Sequence, residues 1–142
     1  MKTQEEPGLS TNGEEVIFRT PSINLYSHDV MRLVRFYERL GFHETFRTPE
    51  GGKPQHVEVK LDQFTIGVAA VDAAINDHGL KPNLGGHPAE IVLWTDDADL
   101  AYTRLTAGGA LSLSPPHDFL GFLRAAWVAD PDGNPIQIVQ RR

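Results

Sequence analysis

The sequence predicts an α+β fold in which two βαβββ modules form a curved mixed sheet around a concave cup. Three observations predict it. One order of patterned segments occurs twice, and residues at corresponding points of the two copies match at near-constant offsets. The chain, at 142 residues, is also long enough for one domain and too short for two ordinary ones.

The first copy opens with Ser22-Ile23-Asn24-Leu25-Tyr26, which alternates like a half-buried strand. Residues 29–41 follow, with Val30, Leu33, Val34, Tyr37 and Leu40 recurring at three- and four-residue spacing as one helical stripe. Gly41 suits the left-handed residue that ends such a helix. Strand-like runs come next near residues 42–47, 56–61 and 64–71. A Gly/Pro/Asn-rich connection, residues 81–88, leads to the second copy. Residues 91–95 read as a strand, 97–107 as a helix ending at Gly108-Gly109, and 110–114, 124–129 and 135–140 as strands.

An offset of 68 carries Leu25, Ser27, Asp29 and Gly41 onto Leu93, Thr95, Asp97 and Gly109, and an offset of 70 carries Asp62, Ile66 and Val68 onto Asp132, Ile136 and Ile138. The modules therefore span about residues 21–72 and 89–140 of a single domain over 16–142, preceded by a flexible polar tail, residues 1–15. Two such units set edge to edge enclose a concavity, the usual place for a ligand.

Composition narrows the function. A formal net charge of −6 argues against nucleic acid and anionic membrane as partners, since both are bound through basic patches. Without cysteine there is no disulfide framework, thiolate zinc site or cysteine nucleophile, which fits a cytoplasmic protein. No apolar run approaches the roughly 18 to 20 residues that span a bilayer.

Two motifs carry a resemblance: Asp29-x-x-Arg32-x-x-x-Phe36-Tyr37-x-x-Leu40-Gly41-Phe42, and the late turn Asp130-Pro131-Asp132-Gly133-Asn134. With the strands around them they resemble the vicinal-oxygen-chelate superfamily, which includes glyoxalase I, extradiol dioxygenases and bleomycin-binding proteins. The resemblance covers about residues 21–139. In metal-using members, His, Glu or Gln from the first and fourth strands of each unit hold the ion. Here the matching positions are Ser22, Gly67, Glu90 and Gln137. Glycine offers no side chain and serine is a poor ligand, whereas catalytic first-row metals usually need about three protein ligands. Metal ligands and cofactor are accordingly expected to be none.

The histidines do not complete the set. His28 and His43 flank the first helix and His78 lies in the connecting segment. His56 sits beside Val57, where strand alternation should turn its side chain the opposite way, and His87 precedes Glu90 by three residues, the wrong parity for one face. His117 lies in Pro115-Pro116-His117-Asp118-Phe119-Leu120-Gly121-Phe122, which reads as a loop able to close over a cup, or as plain surface.

Alternation from the four positions places Asn24, Tyr26, Val92, Trp94 and Val139 on the concave face, and the resemblance adds Trp127. The expected ligand-binding set is thus Asn24, Tyr26, Glu90, Trp94, His117, Phe119, Phe122, Trp127 and Gln137. The two tryptophans either line the cup or fill it as core. As lining, a tryptophan presents about 150 to 250 Å² and gives a partly covering ligand a few kcal/mol at about 25 cal/mol per Å².

The leading expectation is a metal-independent binder of a small, partly aromatic molecule, as in drug-sequestering members. The alternatives are a lyase-, isomerase- or dioxygenase-like enzyme in which a buried Glu90 of raised pKa serves as catalytic base, or an atypical metal site. Members of this superfamily usually pair their open sheet edges with a second chain, so a homodimer is expected.

Overall fold

The structure, a computed structural model, describes residues 10–11, 14–15, 17, 19–87 and 89–142. Ten strands and three helices follow one another along them. Two short strands, β1 (Ser10–Thr11) and β2 (Glu14–Glu15), pair with each other, while the rest of the expected tail lies outside the described residues. The first unit is β3 (Ile23–Ser27), α1 (Val30–Arg39), β4 (His43–Thr48), β5 (His56–Leu61) and β6 (Phe64–Ala70). A further helix, α2 (Val71–His78), leads out of it. The second unit is β7 (Ile91–Trp94), α3 (Ala98–Ala107), β8 (Leu111–Phe119), β9 (Leu123–Ala129) and β10 (Pro135–Arg141).

Two four-stranded mixed sheets result, ordered β3-β6-β5-β4 and β7-β10-β9-β8. The expected βαβββ pair is present, and its repetition extends to register. Ile23 lies opposite Ile66 in the parallel pair β3/β6, and Ile91 opposite Ile136 in β7/β10, which are again offsets of 68 and 70.

The helix ends repeat as well. Asp29 caps α1 by accepting from the Arg32 backbone N–H at 3.2 Å, and Asp97 caps α3 by accepting from that of Leu100 at 3.0 Å. Ser27 Oγ and Thr95 Oγ1 in turn accept from the cap residues' own N–H groups. Gly41 and Gly109 both take φ +106°, a conformation that strains any residue with a Cβ. Asp29→Ala and Asp97→Ala are each expected to cost about 1 kcal/mol, read by urea unfolding, because each orphans a helix N–H.

The helical stripe is the core. Leu33, Val34 and Tyr37 are fully buried with Val57, Val59, Ile66 and Val68 of the first sheet, in one cluster continuous with Val128, Ile136 and Ile138 of the second. The two units also meet at one buried hydrogen bond. The Tyr37 hydroxyl on α1 donates to Asp130 Oδ2 at the end of β9, at 2.8 Å. Among the described residues, no helix is long and apolar enough to cross a membrane.

Two segments differ from expectation. Residues 71–78 form α2 where the last strand of the first copy was extended to Val71; Val71 and Ala74 turn inward and Gly79, at φ +67°, ends the helix. The expected covering loop at Pro115–Phe122 is instead the end of β8 and a hairpin turn at Leu120-Gly121. Prolines are tolerated there because β8 is an edge strand, whose N–H groups need no partner on the outer side. Arg124 on β9 bonds Asp99 of α3 and Asp118 of β8, tying the hairpin to the helix.

Candidate functional site

In the second sheet, pairing aligns Val92, Gln137 and Trp127 in one row across β7, β10 and β9. Their sequence neighbours Ile91, Ile136, Ile138 and Val128 point into the core, so the row faces the other way. Glu90, one residue before β7, joins this row. The Trp127 indole N–H donates to Glu90 Oε1 at 3.0 Å. Against the indole lies the His117 ring, with centroids 5.8 Å apart and planes 19° from parallel.

The position of His117 follows from its own strand. The β8/β9 register shifts between Ser114 and His117, across the two prolines, and such a bulge re-aims the side chains beside it. His117 Nδ1 lies 2.8 Å from the Pro115 carbonyl oxygen. Since that oxygen only accepts, Nδ1 is the nitrogen that donates in this contact, which leaves Nε2 as the open atom of the ring.

The first sheet has the matching row Asn24, Gly67 and Glu58 across β3, β6 and β5. Here a Cβ added to Gly67 would lie 2.1 Å from Asn24 Oδ1 and 2.9 Å from His56 Cε1. Asn24 and His56 therefore fill the room that a side chain at position 67 would need. His56 Nε2 also meets Glu58 Oε2 at 3.2 Å, and Phe46 lies beside the imidazole. Alternation does turn His56 away from Val57, as expected, but that direction is the face of Asn24 and Gly67. His56 and Glu58 were therefore missed by the sequence reading, although period-two counting from Gly67 across the hairpin could have found them.

Between the two units, Asn24 and Tyr26 of β3 share a cavity of about 260 Å³ with His87, Glu90, Asp132 and Asn134. The parity argument against His87 fails because β7 begins only at Ile91 and residue 87 lies in the connection. Trp94 is set apart from this cluster. It is exposed, carries the Arg141 guanidinium 5.5 Å above its ring, and lines a separate groove of about 840 Å³ with Ser22, Phe64 and Val92. Phe119 and Phe122 stand exposed beside the tip of the β8/β9 hairpin. Glu90 itself is exposed, so the burial expected to make it basic is absent.

A family model described as the Glyoxalase/Bleomycin resistance protein/Dioxygenase superfamily matches residues 19–138. The chain belongs to this superfamily. A member from Sphaerobacter thermophilus is 30% identical, with a TM-score of 0.67 over 88% of this chain and 98% of that one. TioX from Micromonospora sp. ML1 is 24% identical (TM-score 0.67, 85% and 98% covered), and the hypothetical protein SA1046 from S. aureus 20% (TM-score 0.73, 87% and 94% covered). No curated protein matches the sequence.

Against the ligand set implied for metal-using members of the superfamily, this chain does not fit. Gly67 supplies no donor and its space is occupied, and Ser22, a poor ligand, lies before β3 in a groove separate from Glu90. Among the described residues, no three His, Cys, Asp or Glu side chains are grouped to hold an ion.

Proposed function

We propose that the chain binds a small, planar, partly aromatic molecule without a metal ion, in the manner of a drug-sequestering protein. The observation that carries this reading is the His117–Trp127–Glu90 cluster: a stacked aromatic platform whose indole N–H holds a carboxylate at its edge. Such a platform favours a flat apolar ring, and the carboxylate favours a cationic or hydrogen-bond-donating substituent. Gln137 beside Trp127 adds an amide able to orient a polar edge. The filled position at Gly67 supports a binding mode that needs no ion.

The test is a calorimetric titration with planar aromatic amines and their neutral isosteres. Amines are expected to bind with 1:1 stoichiometry, and Glu90→Gln to weaken them roughly tenfold, or about 1.4 kcal/mol, with little change for the neutral compounds. Equal losses for both would remove the carboxylate from the reading.

A second reading, a metal-free proton-transfer enzyme, is favoured by one observation, the His56–Glu58 pair on the first sheet. A carboxylate bonded to one imidazole nitrogen orients the ring as a general base. Under that reading, turnover is lost in His56→Gln while aromatic-amine affinity is retained. We also propose a homodimer, since β7, β8, β3 and β4 leave free sheet edges and Val92, Trp94 and Phe64 are exposed beside one groove. A sedimentation mass equal to one chain counts against it.

A further inference from the structure

The arginines of this acidic chain are not spread evenly. Of its nine, Arg47 pairs with Glu44, Arg124 and Arg142 pair with Asp118, and Arg141 covers Trp94. Of the other five, four line one groove: Arg32, Arg35 and Arg39 from α1, and Arg104 from α3. None of these four meets a carboxylate among the described residues. Glu38 is the one acidic residue of α1, and its charge also reaches Arg47.

The groove has a volume of about 670 Å³ and lies between the two helices, on the side of the sheets away from Trp127. Its floor is the junction of the units, with Phe36, Leu105 and Pro131 as apolar wall and the buried Asp130 at the base. Part of the positive charge is answered locally. Asp130 carries one negative charge when ionised, and the C-terminal ends of α1 and α3 contribute about half a charge each. About two positive charges remain, all on guanidiniums, whose planar forks match phosphate oxygens two at a time.

We propose that this groove is a binding site for a small organic molecule carrying a phosphate or diphosphate. The residual charge matches a phosphate dianion, the apolar wall offers cover to an organic portion, and the volume lies in the range of small-ligand sites. A long nucleic acid is disfavoured by the net charge of −6 of the chain as a whole. The site is distinct from the Trp127 cluster and does not depend on the function proposed above.

Titration of the full chain with inorganic pyrophosphate, at ionic strength held constant with sodium chloride, tests it. Saturable binding with 1:1 stoichiometry is expected. The double variant Arg32→Gln/Arg35→Gln, whose side chains make no hydrogen bond or ion pair among the described residues, is expected to weaken it by about tenfold or more. Its circular dichroism, melting curve and aromatic-amine affinity should match those of the wild type. Absence of saturable binding to the wild type, or a variant that binds as tightly, overturns the proposal.

Discussion

Replacing Asp130 by alanine is expected to destabilise the fold by about 3 kcal/mol, the cost of orphaning several buried donors at once. At about 3 to 4 °C per kcal/mol for a chain of this size, the melting temperature should fall by roughly 10 °C. Four donors converge on this carboxylate: the Tyr37 hydroxyl at 2.8 Å, the Asp132 and Asn134 backbone N–H groups at 2.9 Å each, and Asn134 Nδ2 at 2.8 Å. Asp130 is 4% exposed and Tyr37 fully buried, so water cannot replace the lost acceptor. The bond also joins α1 of the first unit to the last turn of the second, so its loss should loosen the junction between the units. Tyr37→Phe removes one donor and no acceptor, and should cost only about 1 kcal/mol. A D130A variant as stable as Y37F would show that the turn holds without its carboxylate.

The same group gives stability a pH dependence of known sign. Burial raises the Asp130 pKa, outweighing the lowering by its hydrogen bonds to Asn134, Tyr37 and Asp132. The native state therefore holds this proton more tightly than the unfolded chain does. Its contribution is fully present below the unfolded carboxyl value of about 3.9 and is lost as pH rises through the raised native value. Urea midpoints of wild type and Asp130→Asn, compared from pH 4 to 7, should show the wild type losing stability relative to the variant as pH rises. A flat difference between the two would remove Asp130 as its source.

How much of this was legible in the sequence depended on how local each signal is. The α1 stripe could be read because Val30, Leu33, Val34 and Tyr37 all bury one face of a helix whose caps lie within four residues. The duplication could be read because register, caps and glycine turns recur at fixed offsets. Strand β8 was misread since its prolines suggest a loop unless the strand is known to be an edge, and sheet order is not a local property. The Asp130-Pro131-Asp132-Gly133-Asn134 run reads as a turn, but nothing local reveals that its first residue anchors a tyrosine 93 positions away. His56 was set aside because alternation turns it away from Val57, and only the β5/β6 pairing shows that this direction is the face of Asn24 and Gly67. Glu90, Gln137 and Trp127 were placed by the resemblance to the superfamily, and Asn24 and Tyr26 by alternation from those positions. Trp94 stands four residues beyond Glu90 along β7, roughly 13 Å at about 3.3 Å per residue, so sharing a face did not bring them into one cluster.

Trp127→Ala is the substitution expected to affect ligand binding most, with aromatic-amine affinity falling by about 30-fold or more, or about 2 kcal/mol. Two contributions disappear together. The ligand loses the indole face, and Glu90 loses the N–H that fixes it at the platform's edge. His117 loses its stacking partner as well, and would be held only through its Pro115 contact. Trp127→Phe separates these contributions, because it keeps an apolar ring but has no N–H. Its loss should be about fivefold, and should be larger for amines than for neutral isosteres, since the mobile Glu90 serves only the amines. Calorimetry is the suitable readout, since both variants delete a fluorophore. The opposing reading makes Trp127 a half-buried wall of the sheet, and predicts a different pattern: a lower melting temperature in both variants with amine affinity unchanged in the molecules that remain folded. Affinity retained in Trp127→Ala would dissolve the platform, and with it the reason for assigning a planar ligand to this face.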